Sequence, residues 1–117
     1  MQTMFQQAFH VTGTLGANLA IMYTMPCDAT LVHASAVGSN ANNGLITIGT
    51  TSSAAAYLAS ASIGDSNVPV EFDWDNFVGS QYPHITDGTV VAIALDYDGA
   101  GGTATADFTL VLTFVEG

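Results

Sequence analysis

Two short acidic runs are the first residues that could do chemistry: Asp73-Trp74-Asp75-Asn76 and Asp96-Tyr97-Asp98-Gly99. Each sets two carboxylates at i and i+2. In a strand that spacing points both to one face. In a turn the two can converge on a hard cation such as calcium. The chain contains no Lys or Arg, so a cation is the strongest partner clustered carboxylates could find. The third acidic position and the distal Glu of a helix-loop-helix calcium loop are missing. The plainer alternative is a solvated turn in which each Asp bonds its own backbone. Asp96, Asp98, Asp73 and Asp75 are thus candidate metal ligands or turn caps, and calcium is the one cofactor the pattern could take. As an acid/base couple for glycoside cleavage, or as a nucleotide-sugar metal motif, the pairs lack the surrounding groups that would hold a sugar.

The other reactive residue types are scattered. His10, His33 and His84 show no metal-ligand spacing. His33 alternates with Leu31, which predicts a satisfied core or interface histidine, and His84 follows Pro83 in an exposed loop. No Gly-x-Ser-x-Gly elbow accompanies the many serines. Cys27 is the single cysteine. It cannot close an intrachain disulfide, and it reads as a small buried hydrophobe. No catalytic residues are assigned, and an enzyme is not expected. Phe5, Phe9, Trp74, Phe77 and Tyr82 could form a platform for a partner or a glycan. Equally, they could plug the core and its ends. Phe5 and Phe9 lie in a Gln-rich start, so residues 1–12 could be an arm that packs on a neighbouring subunit.

Composition narrows the classes further. The chain has 117 residues, ten Asp plus Glu, and a formal net charge of -10. Charged residues are only 9% and hydrophobic ones 49%, which disfavours disorder. Without Lys or Arg there is no Schiff-base lysine, phosphate-loop lysine or arginine finger. Phosphates of nucleic acid cannot be neutralised, nor can an anionic membrane surface. A surface of Ser, Thr, Asn, Gln, Gly and Ala is better suited to being covered by neighbours than to repelling them. The start of the sequence has no positive n-region and no apolar h-region, so no signal peptide is expected. No apolar run approaches the ~20 residues that would span a bilayer.

The elements that would position these residues alternate with period 2. In residues 104–116, Ala106, Phe108, Leu110, Leu112 and Phe114 share one face. In residues 89–97, Val91, Ile93, Leu95 and Tyr97 do the same. The Asp98-Gly99-Ala100-Gly101-Gly102 turn between them predicts an antiparallel hairpin. Residues 29–37 and 45–50, joined by Gly38-Ser39-Asn40-Ala41-Asn42-Asn43-Gly44, predict a second hairpin. Further strands are expected at 5–11, 19–24 and 68–72, the last at a sheet edge because of Pro69. Residues 51–62 hold helix formers and read as a short helix or an irregular crossover, and 74–83 as a loop. About seven or eight strands follow, in one domain over residues 1–117. The expected fold is all-β, a two-sheet antiparallel sandwich of jelly-roll type.

Residues 23–50, YTMPCDATLVHASAVGSNANNGLITIGT, resemble a recurring segment of small virion structural proteins of tailed bacteriophages. There a strand ends in Met-Pro, an acidic turn follows, and an alternating strand leads through an Asn/Gly turn to Ile-Gly-Thr. SIGDSNVP and ALDYDGAGGTATADFTLVLTFVEG fit the same style, so the resemblance spans residues 23–117. It implies a capsid decoration or cement protein, located in the virion, without enzymatic activity. Its partners would be capsid proteins and further copies of itself, plausibly as a trimer. No functional residue carries over, and the missing Lys and Arg depart from the pattern. Two other classes fit the residues: a self-assembling filament or tail subunit, and a calcium-dependent glycan-binding module.

Overall fold

A computed structural model describes residues 3–117. Its strands are β1 (Met4–Thr14), β2 (Leu19–Thr24), β3 (Ala29–Val37), β4 (Leu45–Thr50), β5 (Leu58–Ser62), β6 (Val70–Phe72), β7 (His84–Ile85), β8 (Val90–Asp96) and β9 (Ala106–Glu116). One sheet runs β1-β9-β3-β6, with β7 also on β3; the other runs β2-β8-β4-β5. Every strand pair is antiparallel. The chain is therefore the expected all-β two-sheet sandwich. The described residues hold nine strands; β5 and the two-residue β7 add to the seven segments expected.

The period-2 faces meet between the sheets. Phe108, Leu110, Leu112 and Phe114 of β9 are buried there with Val91, Ile93 and Leu95 of β8 and Ile46 and Ile48 of β4. Each such side chain contributes about 1.5–3 kcal/mol by leaving water. β9 and β8 are interior to their sheets, with strands on both sides.

Both expected hairpins are absent. β8 and β9 lie in different sheets, and so do β3 and β4. The alternation fixes which face of a strand is buried, not which strand it pairs with. Residues 38–44 and 97–105 are long enough to carry the chain across the ~10 Å between sheets. The β1–β2 and β5–β6 connections cross as well, and the registers place all of these crossings at one end of the sandwich.

Residues 51–62 are neither a helix nor a crossover between sheets. A turn at 51–57 leads into β5, which pairs with β4. The Thr50 N–H donates to the Ser53 carbonyl, and the Tyr57 N–H to that of Ile48. Gly49 admits this fold-back, because a Cβ there would collide with the Ser53 and Ala54 backbone. Tertiary pairing thus overrides the helix propensity of the alanines.

Residues 4–12 of the expected arm lie in β1, in register with β9 from Met4 opposite Val115 to Val11 opposite Phe108. Residues 1 and 2 lie outside the described residues. The short strand near Pro69 does fall at an edge, as β6.

Candidate functional site

The end that holds the β1–β2, β3–β4, β5–β6 and β8–β9 crossings is tied by side-chain amides. Asn40 Nδ2 donates to the Ala104 carbonyl at 2.8 Å, and its Oδ1 accepts the Ala106 N–H at 3.0 Å. Asn42 Nδ2 reaches the Gly64 carbonyl at 3.2 Å, while its Oδ1 accepts the Gly44 N–H at 2.9 Å. Asn43 Oδ1 accepts the Thr103 N–H at 2.8 Å, and its own N–H returns to the Thr103 carbonyl at 3.0 Å. Thr105 is fully buried, and its hydroxyl donates to the Tyr97 carbonyl at 2.9 Å. An Asn side chain both donates and accepts, so one residue can bind two strands of backbone. These residues were not singled out in the sequence. Three Asn within seven residues between two alternating segments was the available signal.

Asp107 belongs to the same end. Its Oδ1 accepts the Gly13 N–H at 2.7 Å and its Oδ2 the Ser39 hydroxyl at 2.7 Å. The Gly13 bond, then that of Ser39, holds its carboxyl below the usual value, with a smaller contribution from nearby His10.

The acidic pairs sit in turns. Asp96 Oδ1 accepts the Gly99 N–H at 3.1 Å, and Asp98 Oδ1 the Ala100 N–H at 3.1 Å. Gly99 has φ 62° and leaves no room for a Cβ beside the Asn43 carbonyl. Asp73 Oδ1 accepts the Asp75 N–H at 3.1 Å, and Asn76 Oδ1 accepts that of Asp73 at 3.0 Å. Among the described residues, no three His, Cys, Asp or Glu gather as a metal group would.

The five aromatics do not form one platform. Phe5 and Phe9 are on β1, at one edge of its sheet, whereas Trp74, Phe77 and Tyr82 follow β6 at the other. Phe5 stacks on Phe114 with centroids 5.1 Å apart, and Phe9 meets Tyr23 edge-on at 6.4 Å. Phe77 is buried in the core, while Trp74 and Tyr82 are 49% and 44% exposed.

His33 does not share a face with Leu31. β3 shifts register between Leu31 and His33, so Leu31, Ala34 and Ala36 point inward. His33 Nε2 lies instead 3.2 Å from Glu71 Oε1 on β6. A bulge of one residue reverses every face beyond it, which alternation alone does not reveal. His10 bonds the hydroxyls of Thr109 and Thr12, and His84 is exposed on β7. Cys27 is half-buried. Burial raises its thiol pKa, and the Glu116, Asp87 and Asp28 carboxylates raise it further, the opposite of what a nucleophile needs.

No pocket opens among the described residues. What the molecule offers a partner is surface: sheet edges, weakly charged faces, and exposed apolar side chains such as Met4, Met22, Trp74, Val78 and Tyr82. No family model and no curated protein matches the chain. A solved structure does. A chain of the structure described as "Cyanophage Pam1 capsid asymmetric unit" superposes with a TM-score of 0.60, over 99% of this chain and 85% of that one. The two are 16% identical in sequence. The likeness is one of fold. It spans the whole sandwich, β1 included, rather than a fragment of it.

Proposed function

We propose that this chain is a structural virion protein that coats or cements a phage capsid, with no enzymatic role. The observation that supports this most is the fold likeness over 99% of the chain to a cyanophage capsid chain. The resemblance of residues 23–117 to small virion proteins points the same way. The strand order adds to it. Sheets ordered β1-β9-β3-β6 and β2-β8-β4-β5 follow the sequence of a jelly roll, with β7 as an extra short strand, and capsid domains are among the users of that fold.

The chemistry of attachment follows from the side chains present. With no Lys or Arg, the chain cannot grip an acidic shell through side-chain ion pairs. Attachment rests on apolar burial and backbone hydrogen bonds across a surface of standard interface size. Trp74, Val78 and Tyr82, exposed in the connection after β6, are the anchors of such a contact, because buried aromatics dominate interface energy. Backbone bonds hold this connection in shape, from the Val78 N–H to the Tyr57 carbonyl and from the Leu31 N–H to that of Pro83, so little ordering entropy is lost on docking.

Quantitative mass spectrometry tests the reading on particles purified from the phage whose genome encodes the chain. The chain is expected in a fixed ratio to the shell protein. Its absence from purified particles overturns the role. Fibres formed by the purified chain alone would replace it with the filament reading.

A further inference from the structure

We propose that the edge of the sandwich formed by β1 and β2 is where a second copy of this chain docks. Three observations meet there. None of the ten acids lies before Asp28, so the whole of β1 and β2 is free of carboxylates. The nearest ones lie at strand ends: Asp107, which bonds the Gly13 N–H, and Glu116 at or beside the two ends of β9, and Asp96 at the end of β8. β1 is also an unguarded edge. It is 11 residues long, contains neither Pro nor a charged carboxylate, and keeps unbroken register with β9 from Met4 to Val11, its one shift lying beyond, between Val11 and Thr14; natural edge strands are usually short, charged, bulged or broken by Pro. The edge on the other side of the same sheet is guarded in three of these ways: β6 has 3 residues, follows Pro69 and carries Glu71.

The third observation is burial. The inward residues of the interior strands are fully covered, but those of β1 and β2, including Phe5, Phe9, Ile21 and Tyr23, are only half-buried. The sandwich is therefore open along this seam. Met4 and Met22 extend the apolar surface outward at 65% and 67% exposure.

Charge then selects the occupant. A chain of net charge -10 repels its own copies wherever acids face one another, and no side-chain Lys or Arg offsets that repulsion. The β1/β2 edge is a stretch of surface where two copies meet with no acid on either edge strand; at the opposite edge β5 is likewise free of acids, but β6 beside it carries Glu71. A cationic partner would seek the acid-bearing ends instead. A second copy supplies the same unpaired backbone groups and the same half-open seam, so both edges are covered at once.

Sedimentation equilibrium of the full chain tests the inference. The native chain is expected at a multiple of its 12.0 kDa mass. The double variant Ala8→Glu, Met22→Glu changes two exposed positions of this edge. It is expected to remain folded by circular dichroism and to associate about tenfold more weakly or worse. Val68→Glu, an exposed position beside the guarded edge, is expected to leave the mass unchanged. A native chain that stays monomeric, or an oligomer that resists the double variant and yields to Val68→Glu, overturns it. Should the double variant not fold, amide exchange of the native chain still decides. Outward β1 amides are expected to gain protection as concentration rises, and protection unchanged on dilution overturns the inference. The inference does not need the virion role. A monomer would refute it alone, and particles lacking the chain would refute that role alone.

Discussion

Asn40 grips Ala106, the first residue of β9. Its Oδ1 accepts the Ala106 N–H at 3.0 Å, while its Nδ2 donates to the Ala104 carbonyl two residues earlier at 2.8 Å. One amide thereby sets where the connection from β8 ends and where the longest interior strand begins. Because β8 and β9 belong to different sheets, this grip helps fix how the chain crosses between the layers.

Asn40→Ala removes both bonds at a part-buried position and leaves backbone groups unpaired. The expected loss is about 1–3 kcal/mol, read by urea denaturation. Asn40→Asp keeps the acceptor but sets a carboxylate oxygen against the Ala104 carbonyl, so it should lose at least as much as the alanine variant. Equal stability of all three proteins would show that the grip contributes nothing.

Gly49→Ala should destabilise by about 1–3 kcal/mol or more. The added methyl would collide with the backbone of Ser53 and Ala54, which cannot rotate away as a side chain could. A thermal melt measures it. A native-like melting temperature would mean that the 51–57 turn is free to move.

The aromatics after β6 should divide by burial. Phe77→Ala is expected to cost about 3–5 kcal/mol, because Phe77 is 2% exposed. Trp74→Ala and Tyr82→Ala should cost about 0.5 kcal/mol or less in the isolated chain. On the proposed role, those same two variants weaken binding to the capsid. Comparing denaturation with capsid binding for all three separates the core plug from the anchors.

Asp107 gives the fold an acid sensitivity of known sign. Hydrogen bonds from Gly13 and Ser39 depress its carboxyl below the usual 3.8. The stabilisation is therefore complete above the unfolded value and lost as pH falls through the lower folded one. Between about pH 5 and pH 2, the native chain should lose stability more steeply than Asp107→Asn. Parallel acid limbs would contradict that.

Much of this fold was legible in the residues. Phe108, Leu110, Leu112 and Phe114 alternate, and all are buried on one face of β9. Pro69 marked an edge, and β6 is one. What alternation does not carry is partner choice. It names a buried face, and a strand can present that face from either sheet, so the two crossings looked like hairpins. Nor does it carry a bulge, which is why His33 was expected beside Leu31 and lies instead next to Glu71. β5 was hidden by the helix formers that run into it, Ser53-Ala54-Ala55-Ala56-Tyr57-Leu58-Ala59, and only pairing to β4 shows the strand. Trp74, Phe77 and Tyr82 are alike as loop aromatics, and burial alone separates them. The polar clasp was visible only as a density of Asn, since its longest bonds, those of Asn40 to Ala104 and Ala106, reach across more than sixty positions of the chain.

The missing cations lead to the most direct test. Particles grown without the chain would be titrated with the purified protein at about 0.05 M and about 1 M salt, where the Debye length shrinks to ~3 Å. Attachment by apolar burial and backbone pairing predicts binding at both, with affinity equal or greater at high salt as acid-acid repulsion is screened. No binding at either salt would contradict the capsid role, and release at high salt would contradict the mode of attachment, showing that cationic groups of the shell hold this acidic chain in place.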